Sequence, residues 1–314
     1  MRLKLPFLWI VLVGFLSSTA IAKSTPSVAP ITSPGTVQTN KLQRGTLYRV
    51  HYQGNTAYLF GTIHVGKEGV SPLEGEAKKA LVHSAKLVLE VDIDQGSAIQ
   101  DAIKKYSMYG EGDSVDKHLS PQTLTQLQTM LASSGIAFGS VSQMKPWAIG
   151  NLLLIFDLMK SGFSPDKGAD VTLLAYAKAH AKTFEALETA EYQMSLFDSM
   201  SDIQQEQSLS ETLIELANGT AADQGSRLMN AWTNGDGVAL DGLLREMTEN
   251  KTVSAEFLKR VFLDRRNAEM AEKLESIIKK NKSIFVGVGW LHLVGEDGIP
   301  RRLQRHGFEV KKIY

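Results

Sequence analysis

Cysteine is absent from all 314 residues. The chain therefore has no disulfide to form in an oxidising compartment and no thiol nucleophile, and burial alone must hold it together. Net charge is equally lacking: 34 Lys and Arg balance 34 Asp and Glu, so no basic field exists to recruit nucleic acid or an anionic lipid surface. Local signatures of several enzyme classes are missing too. There is no His-Glu-x-x-His helix, Gly-x-Ser-x-Gly elbow, Walker loop or dinucleotide fingerprint, which disfavours serine hydrolases and nucleotide-dependent enzymes. A triad assembled from distant residues needs no such signature.

Long apolar runs are confined to the start of the chain. Arg2 and Lys4 precede an apolar stretch over residues 7–21, and Ala20-Ile21-Ala22 supplies a small-x-small pattern. This predicts a signal peptide over residues 1–22, cleaved after Ala22. At about 15 residues the stretch is short for a spanning helix; an uncleaved anchor is the alternative, and without a following cysteine a lipid anchor is excluded. The expected product is exported, periplasmic or secreted, and has no stable membrane span after cleavage. It loses Arg2 and Lys4, for a net charge of −2, and keeps ample length for a substantial core.

Residues 23–43 are rich in Ser, Thr, Pro and Gly with few large apolar groups, and read as a flexible leader to a single domain over 44–314. Within that domain, residues 46–52 and 56–61 alternate around Gln53-Gly54-Asn55 as a hairpin. A helix is expected over 73–84 and a strand over 86–93. Helical spacing follows at 121–134, 145–160 and 168–181, then a strand over 182–188, then a long helical pattern over 191–280. A strand at 283–288, a helix at 298–306 and a strand at 308–314 close the chain. These patterns predict an α/β fold with a mixed central sheet built from N- and C-terminal segments, carrying a large helical insertion or cap over about 96–280.

What the chain does contain is a repeated strand ending. Leu59-Phe60 runs into Gly61-Thr62-Ile63-His64, and Val286-Gly287-Val288 runs into Gly289-Trp290-Leu291-His292. Each His is expected just past the carboxyl end of a strand, where open α/β sheets place ligands and catalytic groups. Gly61 and Gly289 allow a sharp turn and a close approach that a Cβ would obstruct. Taken singly, either His reads as a core histidine satisfied by one hydrogen bond; taken together they read as halves of one site. Glu90 and Asp92 end the 86–93 strand on a common face, and spacing alone does not choose between them. Glu90 read blandly is a solvated carboxylate paired with a lysine. Two imidazoles and one carboxylate make a metal shell that leaves positions open for water and substrate.

Seven blocks in order give these residues a context: Leu59 to His64, Leu89 to Asp92, Lys145-Pro146-Trp147, Gly168-Ala169-Asp170, Leu187-Glu188-Thr189 with Glu191 and Gln193, Arg265-Arg266-Asn267, and Gly287 to Leu293. This arrangement resembles the TraB/GumN family, which includes the Tiki proteins and the conjugation-pheromone shutdown proteins. The resemblance implies an α/β fold shared with the erythromycin-esterase and ChaN-like groups. From Tiki relatives it implies a divalent-metal-dependent hydrolase, a peptidase using manganese or cobalt in preference to zinc. The family's two Gly-x-x-His motifs and one Glu map onto His64, His292 and Glu90 as metal ligands and catalytic groups. The expected substrate is a peptide or a fragment derived from the cell envelope; a non-catalytic protein that sequesters such a molecule is the competing reading.

Arg265 is the candidate for holding a substrate carboxylate or an oxyanion, although on a charged helix it reads equally as a solvated side chain or structural ion pair. Asp170, Glu188 and Glu191 form a second tier, Asp170 with an N-cap role as its alternative. Lys145-Pro146-Trp147 opens a helix, with Trp147 as a packing anchor. His51, His83, His118, His180 and His306 have no partner at ligand spacing and are expected to be surface or structural.

Overall fold

The computed structural model describes residues 43–314; the expected export signal and the leader up to residue 42 lie outside the described residues. Strands β1 (Leu47–Tyr52) and β2 (Asn55–Thr62) form the predicted hairpin. Its two-residue turn puts Gln53 at φ 46° and Gly54 at φ 83°, the paired positive values that match the twist of the flanking strands. Helix α1 (Gly75–His83) leads to β3 (Lys86–Leu89), which is shorter than the sequence pattern because the chain leaves the sheet at Glu90.

The insertion follows as α2 (Gly96–Ser107), α3 (Pro121–Ser133), α4 (Pro146–Lys160) and α5 (Ala169–Ala179), then strand β4 (Thr183–Ala186). After it come α6 (Ala190–Asp198), α7 (Asp202–Ala217), α8 (Thr220–Thr233), α9 (Gly237–Thr248) and α10 (Val253–Phe257). A π-helical stretch, Leu258–Arg265, runs without a break into α11 (Arg266–Lys280). Strand β5 (Ser283–Gly289), a 3₁₀ turn at Trp290–His292, α12 (Ile299–Arg305) and β6 (Glu309–Lys312) complete the chain.

The six strands form one mixed sheet in the order β4-β3-β5-β2-β1-β6. The first four are parallel, and β1 pairs antiparallel to both β2 and β6. Both termini of the domain thus contribute to the sheet, as expected, and the cap is threaded through it by β4.

Period-two alternation splits the core. Phe60, Leu87, Leu89 and Phe285 pack with Ala77 and Leu81 of α1 and Leu173 and Leu174 of α5 on one face. On the other, Leu59, Val88, Ile284 and Val286 pack with Met270, Leu274 and Ile278 of α11 and with Ile299 and Leu303 of α12. The cap has a cluster of its own, in which Leu127 and Leu131 of α3, Ile149 and Leu153 of α4, and Leu209 and Leu213 of α7 meet.

This topology decides where a site can form. From β2 and β3 the chain proceeds to helices on the first face, and from β5, which lies between them, to α12 on the second. Divergence of the connections opens a crevice at the carboxyl ends of these strands. No helix among the described residues is long and apolar enough to cross a membrane.

Candidate functional site

Register sets the ends of the three central strands side by side. Thr62 of β2 is opposite Gly289 of β5, and Gly287 is opposite Leu89 of β3. His64, Glu90 and His292 each lie one to three residues further on, so distant parts of the sequence meet in one crevice. The space a Cβ on Gly289 would take lies 3.1 Å from Glu90 Oε1, 3.6 Å from His292 Cδ2 and 3.8 Å from His64 Nε2. All three side chains therefore close around this glycine. Gly61 is needed for room as well: a Cβ there would sit 2.7 Å from Thr46 Oγ1 and 3.2 Å from Trp290 Cα. Neither glycine has positive φ, so both act through close approach, and neither makes a left-handed turn.

Each imidazole is held from behind. The start of α5 docks against the His64 loop, with the Ala169 N–H donating to the Ile63 carbonyl at 2.8 Å. That contact brings Asp170 Oδ2 to 2.6 Å from His64 Nδ1. Gly168 is the N-cap of α5, so the Asp170 carboxylate is turned to the histidine and not to the helix end.

His292 Nδ1 lies 2.6 Å from Asn267 Oδ1 on the first turn of α11. Asn267 Nδ2 donates to the Asp297 carbonyl at 3.1 Å, which leaves Oδ1 as the acceptor. Carboxylate and amide oxygen both accept, so both histidines carry a proton on Nδ1 and aim Nε2 inward. This is how metal-binding histidines are commonly oriented.

The two imidazoles nevertheless differ. His292 is 2% exposed, and burial pulls its pKa down to about 3, with the nearby Arg266 and His64 charges adding to the effect against Glu90. It is neutral at ordinary pH. His64 is also depressed by burial, but the charge and hydrogen bond of Asp170, with the charge of Glu90, more than offset this and raise it.

Glu90 anchors the other side of the crevice. Its Oε1 accepts from the Gly289 N–H and lies 3.7 Å from His292 Nε2. Its Oε2 accepts from Arg266 Nη2 at 2.7 Å and from Gln193 Nε2 at 3.3 Å. Burial alone would raise its pKa; the charges of Arg266, His292 and His64 and the Gly289 N–H hold it down at about 2. The two oxygens thus have separate duties: Oε2 is tied down and Oε1 faces the imidazoles.

Other candidates are distributed unevenly. Glu188, past the end of β4, has a fully buried side chain paired with Arg266, and its N–H donates to the Glu90 carbonyl at 2.7 Å. Asp92 stays outside the crevice and accepts from the Asp94 N–H and the Gln95 side chain. Glu191 forms an exposed pair with Lys105. Arg265 is exposed and pairs with Glu269, whereas its neighbour Arg266, fully buried, stands at the centre of the site. Arg266, Asn267 and Gln193, which carry no role of their own in the sequence reading, are in direct contact with Glu90, Glu188 or His292. A helical stripe through Asn267, Met270, Ala271, Leu274 and Ile278 was the available signal.

Two imidazole nitrogens and a carboxylate oxygen suit a divalent cation of intermediate hardness. His64 Nε2 is buried with no hydrogen-bond partner, as a ligand atom awaiting an ion would be. The spacing is looser than the donor set: no group of three His, Cys, Asp or Glu among the described residues is arranged to hold a metal ion. Two ligands of one tetrahedral ion with bonds of about 2.1 Å lie about 3.4 Å apart, so the 3.7 Å between His292 Nε2 and Glu90 Oε1 needs only a small closure. A cleft of 720 Å³ lined by Ile99, Lys105, Tyr192 and Glu188 lies beside the crevice, and His64, Glu90 and His292 are not among its walls. Another of 650 Å³ reaches Asn267 behind His292.

No solved structure matches the chain. Two similar proteins are the uncharacterized protein YbaP of Shigella flexneri, 26% identical over 79% of this chain and 88% of that protein, and YbaP of Escherichia coli K12, 26% identical over 79% and 87%. The profile of the TraB/PrgY/gumN family matches residues 46–312, which span every strand of the sheet and every residue of the crevice, and the chain belongs to that family.

Proposed function

We propose that this protein is an exported, divalent-metal-dependent hydrolase that cleaves peptides, or peptide-containing fragments of the cell envelope, in the crevice around Gly289. The observation that carries this reading is the convergence of His64, Glu90 and His292 on one glycine, with both Nε2 atoms directed inward. His64 Nε2, His292 Nε2 and Glu90 Oε1 would hold the ion, manganese or cobalt in preference to zinc. When bound, such an ion polarises a carbonyl and makes water acidic enough to attack it near neutral pH.

The chain's own groups do the rest. Asp170 and Asn267 fix the tautomer and aim of the imidazoles, and Gln193 and the Gly289 N–H hold the two oxygens of the Glu90 carboxylate in place. Glu90, Arg266 and His292 are buried, and removal from bulk water strengthens each of these interactions. Export is supported by the basic start, apolar run and Ala20-Ile21-Ala22.

Digestion of a peptide library by the chain from Lys23 onward, with manganese, cobalt or zinc added, tests the activity. Cleavage that His64→Ala and His292→Ala each abolish is expected. One specific observation favours a second reading, binding without turnover: both oxygens of the Glu90 carboxylate already accept hydrogen bonds, from Arg266 and Gln193 on Oε2 and from the Gly289 N–H on Oε1. Peptide retained intact under all three ions would establish that reading instead.

A further inference from the structure

Beside the crevice, the proposed chemistry leaves the buried carboxylate of Glu188 without a task. Glu188 accepts from Arg266 Nε at 3.0 Å through Oε1 and from Nη2 at 2.7 Å through Oε2. It also accepts from Gln193 Nε2 at 2.8 Å. The same Nη2 and the same Nε2 reach Glu90 Oε2. One guanidinium and one amide therefore serve two carboxylates, with Arg266 and Glu188 both sealed from solvent at the side chain.

The charge balance of this cluster has a chemical consequence. Glu90 and Glu188 carry two negative charges against the one positive charge of Arg266. Were Glu188 neutral, Arg266 would cancel Glu90 one for one, and a neutral buried pair attracts a divalent cation weakly. The orientation matters equally. Glu188 takes the Nε and Nη2 edge of the guanidinium side-on, and the second Nη2 hydrogen goes to Glu90 Oε2, while Nη1 has no hydrogen-bond partner.

We infer that Glu188 is a positioning residue: it absorbs the charge of Arg266 and fixes its fork, so that Glu90 keeps a net negative charge and a remaining lone pair on Oε1 for a divalent cation. The Glu188 carboxylate is taken up by Arg266 and Gln193, and it acts through Arg266. This inference rests on the metal reading above and extends it to a residue for which that reading needs no role.

Calorimetric titration of the chain from Lys23 onward with manganese chloride tests it, with circular dichroism and thermal melting to establish folding. Glu188→Gln is isosteric and is expected to bind manganese about 10–100-fold more weakly than wild type. Adding Arg266→Gln removes the uncancelled positive charge, and the double variant is expected to return to within about threefold of wild type. A purely structural role would not be rescued by a second loss in the same network.

Wild-type affinity in folded Glu188→Gln overturns the inference alone, and so does a double variant as weak as the single one. Should Glu188→Gln not fold, the double variant, which buries no unbalanced guanidinium, decides by the same threefold criterion. A wild-type chain that binds no divalent cation at all overturns the metal reading and this inference together.

Discussion

Two glutamates buried in different parts of this molecule have opposite fates. Glu90, at the sheet edge, is 5% exposed and has its pKa held down at about 2 beside Arg266. Glu215, on α7 in the helical cap, is 1% exposed, and neither carboxyl oxygen has a hydrogen-bond partner. Burial, with the charge of Glu211 added, pushes its pKa up to about 9. Burial is the same; the arginine is the difference. A buried carboxyl that must stay ionised needs a cation and donors around it, and one without them keeps its proton. The crevice invests in charge and the cap does not, which is what distinguishes a site from packing.

The largest test of this contrast is to make the first glutamate resemble the second. Arg266→Met strips Glu90 and Glu188 of their shared cation, and urea unfolding is expected to show a loss of about 3–5 kcal/mol. A loss below 1 kcal/mol would mean that the cluster is wetter than its burial implies.

The second test works from the cap. At pH 7 folded Glu215 holds a proton that the unfolded chain has released, so its stability contribution is intact below about pH 4.5 and drains away as pH rises toward 9. Glu215→Gln is therefore expected to stabilise the protein by about 3 kcal/mol at pH 7 and hardly at all at pH 4. Glu90 behaves with the opposite sign: its contribution is present above about pH 4.5 and is lost as pH falls toward 2. An equal effect of Glu215→Gln at both pH values would remove ionisation as the cause.

Smaller effects should follow from the groups behind the imidazoles. Asp170→Asn and Asn267→Ala are each expected to weaken manganese binding by about 10–100-fold with little change in secondary structure. Unchanged binding in both would mean that His64 and His292 orient themselves unaided. Smallest of all, Arg265→Ala breaks only the exposed pair with Glu269 and is expected to cost about 0.5 kcal/mol or less by thermal melting. Adjacent arginines would then differ severalfold in their effect.

That last pair shows where the sequence stopped being legible. Apolar runs, the two Gly-x-x-His endings and the Gln53-Gly54 turn marked the strands and the crevice, because period-two burial and turn chemistry are local. Glu90 was distinguished from Asp92 by resemblance; only the structure shows why, since the chain leaves β3 at Glu90 and uses Asp92 to fold the turn into α2. Arg266 was hidden for a physical reason. A π-helical stretch ends at Arg265, and its wider turn breaks the 3.6-residue stripe just before the position that matters. Read backward from Ile278 through Leu274 and Met270, the stripe does reach Arg266. Glu188 joins the cluster by reaching Arg266 across 78 residues of chain, and Gln193 by reaching Glu90 across 103, separations that no local pattern encodes.

A crystal grown with manganese and measured at its absorption edge shows whether both ends of the chain share one divalent cation. A single anomalous peak is expected within about 2.3 Å of His64 Nε2, His292 Nε2 and Glu90 Oε1, with Arg266 still paired to Glu188. A peak elsewhere, or none with His64 Nε2 taken by another partner, would contradict it.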